Sequence, residues 1–296
     1  MRTDQAEIFL TVLEEESIAA AARRLGRSRT TLSTALSALE DELGASLFDR
    51  SGNELQPTGL AWSIQPDCLR FLQAYRRVAA RCDQERQGVE VALRIARDDA
   101  LPESFWRQTM RDLKDKFPLT GVSVYLAPPQ ELPALVENQA VDLALGLAGD
   151  RDNYEQLDYQ ELGQVSLLTV AASSHPLCRL SVVMPEDLRS ETQVTLAYMD
   201  EQEELVPEIL GSANYLALTQ FELIRDAVLE GSGWAHLPRP LIADALAAGQ
   251  LRVLRKADAS QWQACYLLQI NGSLQGKVAS WLKQQLINYL ATANLL

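Results

Sequence analysis

Apolar residues within 4–16 recur at helical spacing: Ile8, Phe9, Val12 and Leu13 share one face, and Glu14, Glu15 and Glu16 follow as a solvated acidic end. Ser17 is placed to cap a second helix, SIAAAARRLG, whose alanines permit close packing and whose Gly26 suits a left-handed end. Ser28 is the expected N-cap of a third helix. From there Leu32, Ala35, Leu36, Leu39 and Leu43 form one stripe, which predicts a face turned to the core. At roughly 100° per residue, Thr30, Thr34, Ser37 and Asp41 lie opposite, with Arg29 and Ser33 along one edge. The hydroxyls between Ser28 and Ser37 therefore face outward. Ser51, Gly52 and Asn53 then mark a turn between two short segments, a hairpin or wing.

Beyond Gly59, residues Leu60, Ile64, Cys68, Phe71, Tyr75, Val78 and Cys82 recur at steps of four or three, the spacing of a seam between two helices. Pro66 predicts that the continuous helix starts close to it, and Gly88 closes the segment. From residue 89 strands alternate with helices. Strands are expected at 91–96, 122–127, 141–148, 165–172, 193–199, 214–218, 234–237, 251–254 and 264–270. Helices are expected at 102–117, 130–139, 221–230, after Pro238, and around VASWLKQQLINYL. Such alternation implies parallel βαβ units covered on both faces, with a second sheet, in two small α/β lobes. The expected organisation is 1–59, a helical module with a wing; 60–88, a linker helix that dimerises; and 89–296, with lobe I about 89–163 plus 264–296 and lobe II about 164–263.

Charge qualifies this picture. The 296-residue chain has a formal net charge of −13, which argues against a broad positive surface for nucleic acid. Arg23, Arg24, Arg27 and Arg29 nevertheless stand together without an acid, a local basic spot at the start of the third helix. Cys68, Cys82, Cys178 and Cys265 lack zinc spacing and read as reduced thiols, so no metal and no cofactor is expected. No export signal and no apolar run of about 18 residues is legible, which predicts a cytoplasmic protein with no membrane association. The patterns G-x-S-x-G, H-E-x-x-H and the P-loop are missing, as is G-x-G-x-x-G after the first strand, so an enzyme is not expected. A transport binding protein would fit the lobes alone, but not the N-terminal module.

SIAAAARRLG followed by SRTTLSTALSALEDELGASLFDR resembles the LysR-type transcriptional regulators, and the resemblance extends over essentially the whole chain. It implies a winged helix-turn-helix, a long dimerising helix, and an effector-binding α/β region similar to periplasmic binding proteins. The implied partners are double-stranded promoter DNA, a small-molecule effector, a second copy in a homodimer or homotetramer, and RNA polymerase. LEGSGWAHLPRPLI resembles the family's glycine-containing strand-and-proline feature. Departures are also visible: Arg29 stands where glutamine is usual, hydroxyls and Ala35 replace basic or amide side chains, and the wing is less basic.

On this reading Arg27, Ser28, Arg29, Thr30, Thr31, Ser33 and Thr34 contact DNA, with Arg50 and Asn53 contributing from the wing. The first amides of the third helix, with Ser28, suit a phosphate. Arg29 has the planar fork that suits guanine O6 and N7, and the hydroxyls suit single hydrogen bonds or thymine methyls. The acids Glu40, Asp41 and Glu42 read as a solvated face. Few phosphate contacts and a shallow salt dependence follow. Leu60, Ile64, Phe71, Tyr75 and Val78 are the dimerisation residues.

Effector loops are expected beyond the carboxyl ends of strands and at the cleft between lobes. They supply Arg97, Asp98, Asp99, Pro129, Gln130, Ala148, Met199, Thr219, Trp234 and His236. Arg97 is suited to an anion, and Asp98 and Asp99 to an amine, a guanidine or sugar hydroxyls. For Asp99 the simpler expectation is a cap on the helix at 102–117. The alternative function is an effector-sensing oligomer with weak or lost DNA binding that acts through partner proteins.

Overall fold

The computed structural model describes residues 1–49, 55–147, 154–200, 202–208, 211–273 and 275–293. The chain divides into two compact units, Met1–Gln87 and Gly88–Leu296. The expected positions Arg50, Asn53 and Ala148 lie outside the described residues.

In the first unit, α1 (Thr3–Glu15), α2 (Ile18–Leu25) and α3 (Arg29–Leu43) are followed by the short pair β1 (Phe48–Asp49) and β2 (Gln56–Pro57), then by α4 (Gly59–Arg86). The caps arise where the side chains allow them. Ser17 Oγ accepts from Ala20 N at 3.3 Å, Ser28 Oγ accepts from Thr31 N at 3.1 Å, and Gly26 ends α2 at φ 62°. Ile8, Phe9, Val12, Leu13, Ala21, Leu32, Leu36 and Leu39 form one core with Leu47 and Phe48, and the Phe9 and Phe48 rings meet edge to face at 6.0 Å. Leu43, expected in this core, is 45% exposed. The chain turns at Gly44, and Leu47 and Phe48 continue the core in its place.

The acidic residues do more than solvate this unit. Glu14 and Glu15 hold Arg24 at 2.8 and 2.9 Å. Glu40, expected on a solvated face, accepts from Leu47 N at 2.7 Å and Phe48 N at 3.1 Å, which ties the turn after α3 to that helix. The start of α4 also differs from the expectation at Pro66: Thr58 Oγ1 accepts from Ala61 N at 3.2 Å, so the helix begins at Gly59 and runs through Pro66. Pro66 is exposed, where water can serve the carbonyl that its missing N–H leaves unpaired.

The second unit runs β3 (Ala92–Arg97), α5 (Glu103–Lys116), β4 (Gly121–Leu126), α6 (Leu132–Glu137), β5 (Leu143–Leu147), β6 (Leu157–Ala172), α7 (Pro185–Ser190), β7 (Gln193–Met199), β8 (Leu205–Pro207), β9 (Tyr215–Leu218), α8 (Phe221–Leu229), β10 (Trp234–Pro238), α9 (Arg239–Ala247), β11 (Leu251–Val253), β12 (Ser260–Ile270) and α10 (Lys277–Ala293). Strand β3 lies parallel between β4 and β5, and β7 runs parallel to β9, as βαβ units require. The expected second sheet is instead part of one hydrogen-bonded path, β4-β3-β5-β12-β6-β10-β7-β8. Its cause is the length of β6 and β12, which pair antiparallel from Ser260↔Leu168 to Ile270↔Leu157 and so pass through both lobes. The register shifts where Cys265 faces Gly163 and Tyr266 faces Glu161. An irregularity of this kind locally bends and twists a strand pair.

Candidate nucleic-acid interface and effector seam

Helix α3 delivers its N-terminal face to solvent because Leu32, Leu36 and Leu39 are fully buried on the other side. Arg27, Ser28, Arg29, Thr30, Thr31 and Thr34 are exposed, and Ser33 is half-buried. Arg27, Ser28, Thr30, Thr31 and Thr34 border a groove of about 570 Å³ floored by Ile8, Ala35 and Ala38. Arg2 and Asp4 from the start of α1 border the same groove. Arg2 was not among the sequence candidates; only the packing of α1 beside α3 brings it there, and it pairs with Asp4 at 3.2 Å. Ser28 Oγ also shares a 2.8 Å hydrogen bond with Thr31 Oγ1, so both hydroxyls serve the cap as well as the surface. Of the basic spot, Arg24 is committed to Glu14 and Glu15, whereas Arg23, Arg27 and Arg29 make no ion pair among the described residues.

On α4, Ala61 and Cys68 are buried against the helical core and Ile64 packs on it. Leu60 is 41% exposed, Tyr75 54% and Val78 61%; Phe71 is half-buried. Among the described residues, much of the expected seam is thus exposed.

In the second unit the expected effector residues divide. Arg97 does not present its charge to a cleft: Nη1 donates to Asp98 O at 3.0 Å, Nη2 pairs with Glu103, and the guanidinium stacks over Trp106 at 4.8 Å. Asp98 is also turned inward. Its carboxylate accepts from Leu147 N at 2.6 Å and Ala100 N at 3.1 Å, and burial pushes its pKa up to about 7 against those two bonds. Asp99 caps a helix, but not the expected α5. It accepts from Phe221 N at 3.0 Å and Glu222 N at 2.8 Å, at the start of α8, 122 residues away along the chain. Burial raises its pKa too, opposed by those two amides.

Two further residues of the expected set make internal contacts. Trp234 is 1% exposed, and its Nε1 donates to Leu188 O at 3.1 Å in a cluster with Leu177, Val183 and Leu254. His236 shares a 3.0 Å hydrogen bond between Nδ1 and Thr169 Oγ1. Both lie on β10, whose Trp234 pairs with Gln193 at the beginning of β7, the end opposite Met199.

Burial, with Lys256 nearby, lowers the His236 pKa from 6.5 to about 4. As pH falls through that window the unfolded chain takes up a proton that the folded chain refuses, so the stability present above about 6.5 is lost towards about 4. Asp98 acts in the opposite sense: its raised pKa gives stability that is full below about 4 and lost as pH rises towards about 7. We therefore expect His236→Gln to flatten the fall in urea-unfolding free energy between pH 6.5 and 4 relative to the parent. An unchanged slope would assign the acid sensitivity to other groups.

Gln130 and Met199 take part in contacts across the two lobes. Gln130 Nε2 donates to Glu208 Oε1 at 2.9 Å, and Glu131 Oε1 accepts from Met199 N at 2.9 Å. Pro129 is buried; Thr219 is exposed just before α8, and Met199 is 45% exposed. Glu208 and Glu131 were not anticipated. The signal for Glu131 was its place beside Gln130, whereas Glu208 follows the short β8, which the sequence pattern does not announce. Burial raises the Glu208 pKa, partly offset by the Gln130 hydrogen bond. Together these contacts and the Asp99 cap make a polar seam between lobe I and lobe II.

A helix-turn-helix with a following wing pair, joined to a two-lobed α/β unit, defines a transcriptional regulator with a ligand-binding domain. Residues 3–61 match the bacterial regulatory helix-turn-helix protein, lysR family, and residues 86–291 match the LysR substrate binding domain. The chain belongs to the LysR family of bacterial transcriptional regulators. It is 27% identical to the HTH-type transcriptional regulator AceR of Acinetobacter baumannii, over 81% of this chain and 80% of that one. Among solved structures, a cysteine mutant of OxyR from Corynebacterium glutamicum superposes with a TM-score of 0.63 at 17% identity, covering 99% of this chain and 94% of that one. Full-length LysG from the same organism, with arginine bound as effector, gives a TM-score of 0.52 at 18% identity, covering 99% of each chain. These two likenesses are of fold. No helix among the described residues is long and apolar enough to cross a membrane.

Proposed function

We propose that this regulator binds promoter DNA through α3 and changes that binding, or the transcription that follows, when a small molecule occupies the seam between its lobes. The observation that carries the reading is the exposed N-terminal face of α3, held outward by three fully buried leucines. Arg29 reads a base edge; Ser28 and the first amides of α3 hold a phosphate, with Arg27 beside them. Thr30, Thr31, Ser33 and Thr34 supply single hydrogen bonds or methyl contacts, and Arg50 and Asn53 belong to the wing contacts. Leu60, Ile64, Phe71, Tyr75 and Val78 form the dimer seam of a linker at 60–88, in a cytoplasmic homodimer or homotetramer with RNA polymerase as a further partner. The domain limits 1–59 and 89–296, and a lobe change near 163 and 264, belong to the same proposal; the register shift at Gly163 and Cys265 supports the last of these. Effector binding shifts the relation of the lobes and so the spacing of paired DNA modules.

Footprinting on the DNA that flanks its own coding region tests this. Protection of two half-sites at whole-turn spacing is expected, altered by the effector. The second reading is an effector-sensing oligomer that has lost most DNA binding and acts through partners. It is favoured by the net charge of −13 and by the loss of Arg24 to Glu14 and Glu15, and absence of any protected site would select it.

A further inference from the structure

The donors and acceptors at the seam are unequal. A helix N-terminus is a ready anion site, yet the first amides of α8 are filled by Asp99 at 3.0 and 2.8 Å. Met199 N is taken by Glu131, Gln130 Nε2 by Glu208, and Leu147 N and Ala100 N by Asp98. Arg97 pairs with Glu103, and Arg225, on α8, pairs with Glu222 at 3.3 Å and Asp226 at 2.8 Å. Among the described residues, the chain's own carboxylates have therefore occupied these amides and cations, which an anionic ligand would otherwise use.

Acceptors remain. Among the described residues Gln130 Oε1 is buried with no hydrogen-bond partner, and its amide is oriented by the bond that Nε2 makes to Glu208. Leaving a buried carbonyl oxygen unpaired is costly, so a ligand N–H that reaches it supplies an interaction the protein alone does not make. Glu208 stands beside it with a carboxylate able to accept a second bond, and Glu131 follows Gln130 in the chain.

We infer that the seam selects a small molecule bearing a primary ammonium or a guanidinium, whose N–H groups reach Gln130 Oε1 and the Glu208 carboxylate, over a carboxylate of similar size. This rests on the reading of the seam as the effector site. A cation also relieves the local excess of carboxylates, which an anion would increase.

The test uses full-length protein with matched probes, butane-1,4-diamine and butylguanidine against succinate and butyrate, in thermal shift and calorimetry. The diamine or the guanidine is expected to raise Tm and the carboxylates to leave it unchanged. Glu208→Gln and Gln130→Leu, each keeping its native circular dichroism, are expected to weaken the cation about tenfold or more. Succinate binding that is lost in these variants would keep the seam as the site and overturn the ligand class. Cation binding unaffected by both variants would overturn the seam reading and this inference together. No shift with either cation at millimolar concentration would overturn the ligand class.

Discussion

Arg29→Ala is expected to lower affinity for operator DNA roughly 5- to 150-fold, since a bidentate contact to guanine gives about 1–3 kcal/mol of discrimination. The fold should survive, because Arg29 is exposed at the first position of α3 and alanine is the better helix former. The core beneath, from Leu32 to Leu39, is untouched. Base reading and phosphate holding leave different signatures. Loss of a base reader relaxes the preference for one base pair at one position, measured by competition among operator variants, and leaves the salt slope nearly as it was. Loss of a phosphate contact weakens all sequences alike and reduces the slope by about one. Arg29→Ala binding within twofold of the parent would remove Arg29 from the reading face.

Gly146→Ala is expected to destabilise the regulatory unit by roughly 3 kcal/mol or more, a fall of about 6–12 °C in Tm for a unit of this size. Gly146 lies in β5 against the Asp98 side chain, and a Cβ there would overlap the Asp98 carboxyl and stand 2.9 Å from Leu132 Cδ1. Asp98 is fully buried, so it cannot move aside into solvent; it must give up the bond to Leu147 N or displace α6, which carries Leu132. Thermal denaturation followed by circular dichroism measures the cost. A Tm within about 2 °C of the parent would mean that the region around Asp98 yields more easily than its packing implies. Because Leu147 N holds Asp98, the neighbour of the Asp99 that caps α8, the variant should also blunt the response to effector in any fraction that folds.

The local elements were largely legible in the chain because their causes are local. Ser17 and Ser28 cap by reaching amides three residues on, and Gly26 ends α2 because it lacks a Cβ. The strand at 193–199 follows from its apolar run. The apolar pattern announces strand β6 only from residue 165 because LDYQELGQ, its first half, is mostly polar; its backbone is held by antiparallel pairing with β12, 100 or more residues away in sequence for that half. Leu43 was misassigned because helical spacing says which face a residue shares but not where the packing partner stops.

The site residues followed the same division. By itself the sequence determined a helix-turn-helix with a wing, a long helix, and an α/β region after it, together with the outward hydroxyl and arginine face of α3, since periodicity and capping act within a few residues. Tertiary structure alone decided which charges remain available. It committed Arg24 to Glu14 and Glu15, turned Arg97 onto Trp106, and sent Asp99 to α8 instead of α5. It also sealed Trp234 in the lobe interior and brought Glu208 to Gln130. A charged side chain takes the nearest partner in space, and pairing across lobes depends on topology that no stretch of neighbouring residues encodes.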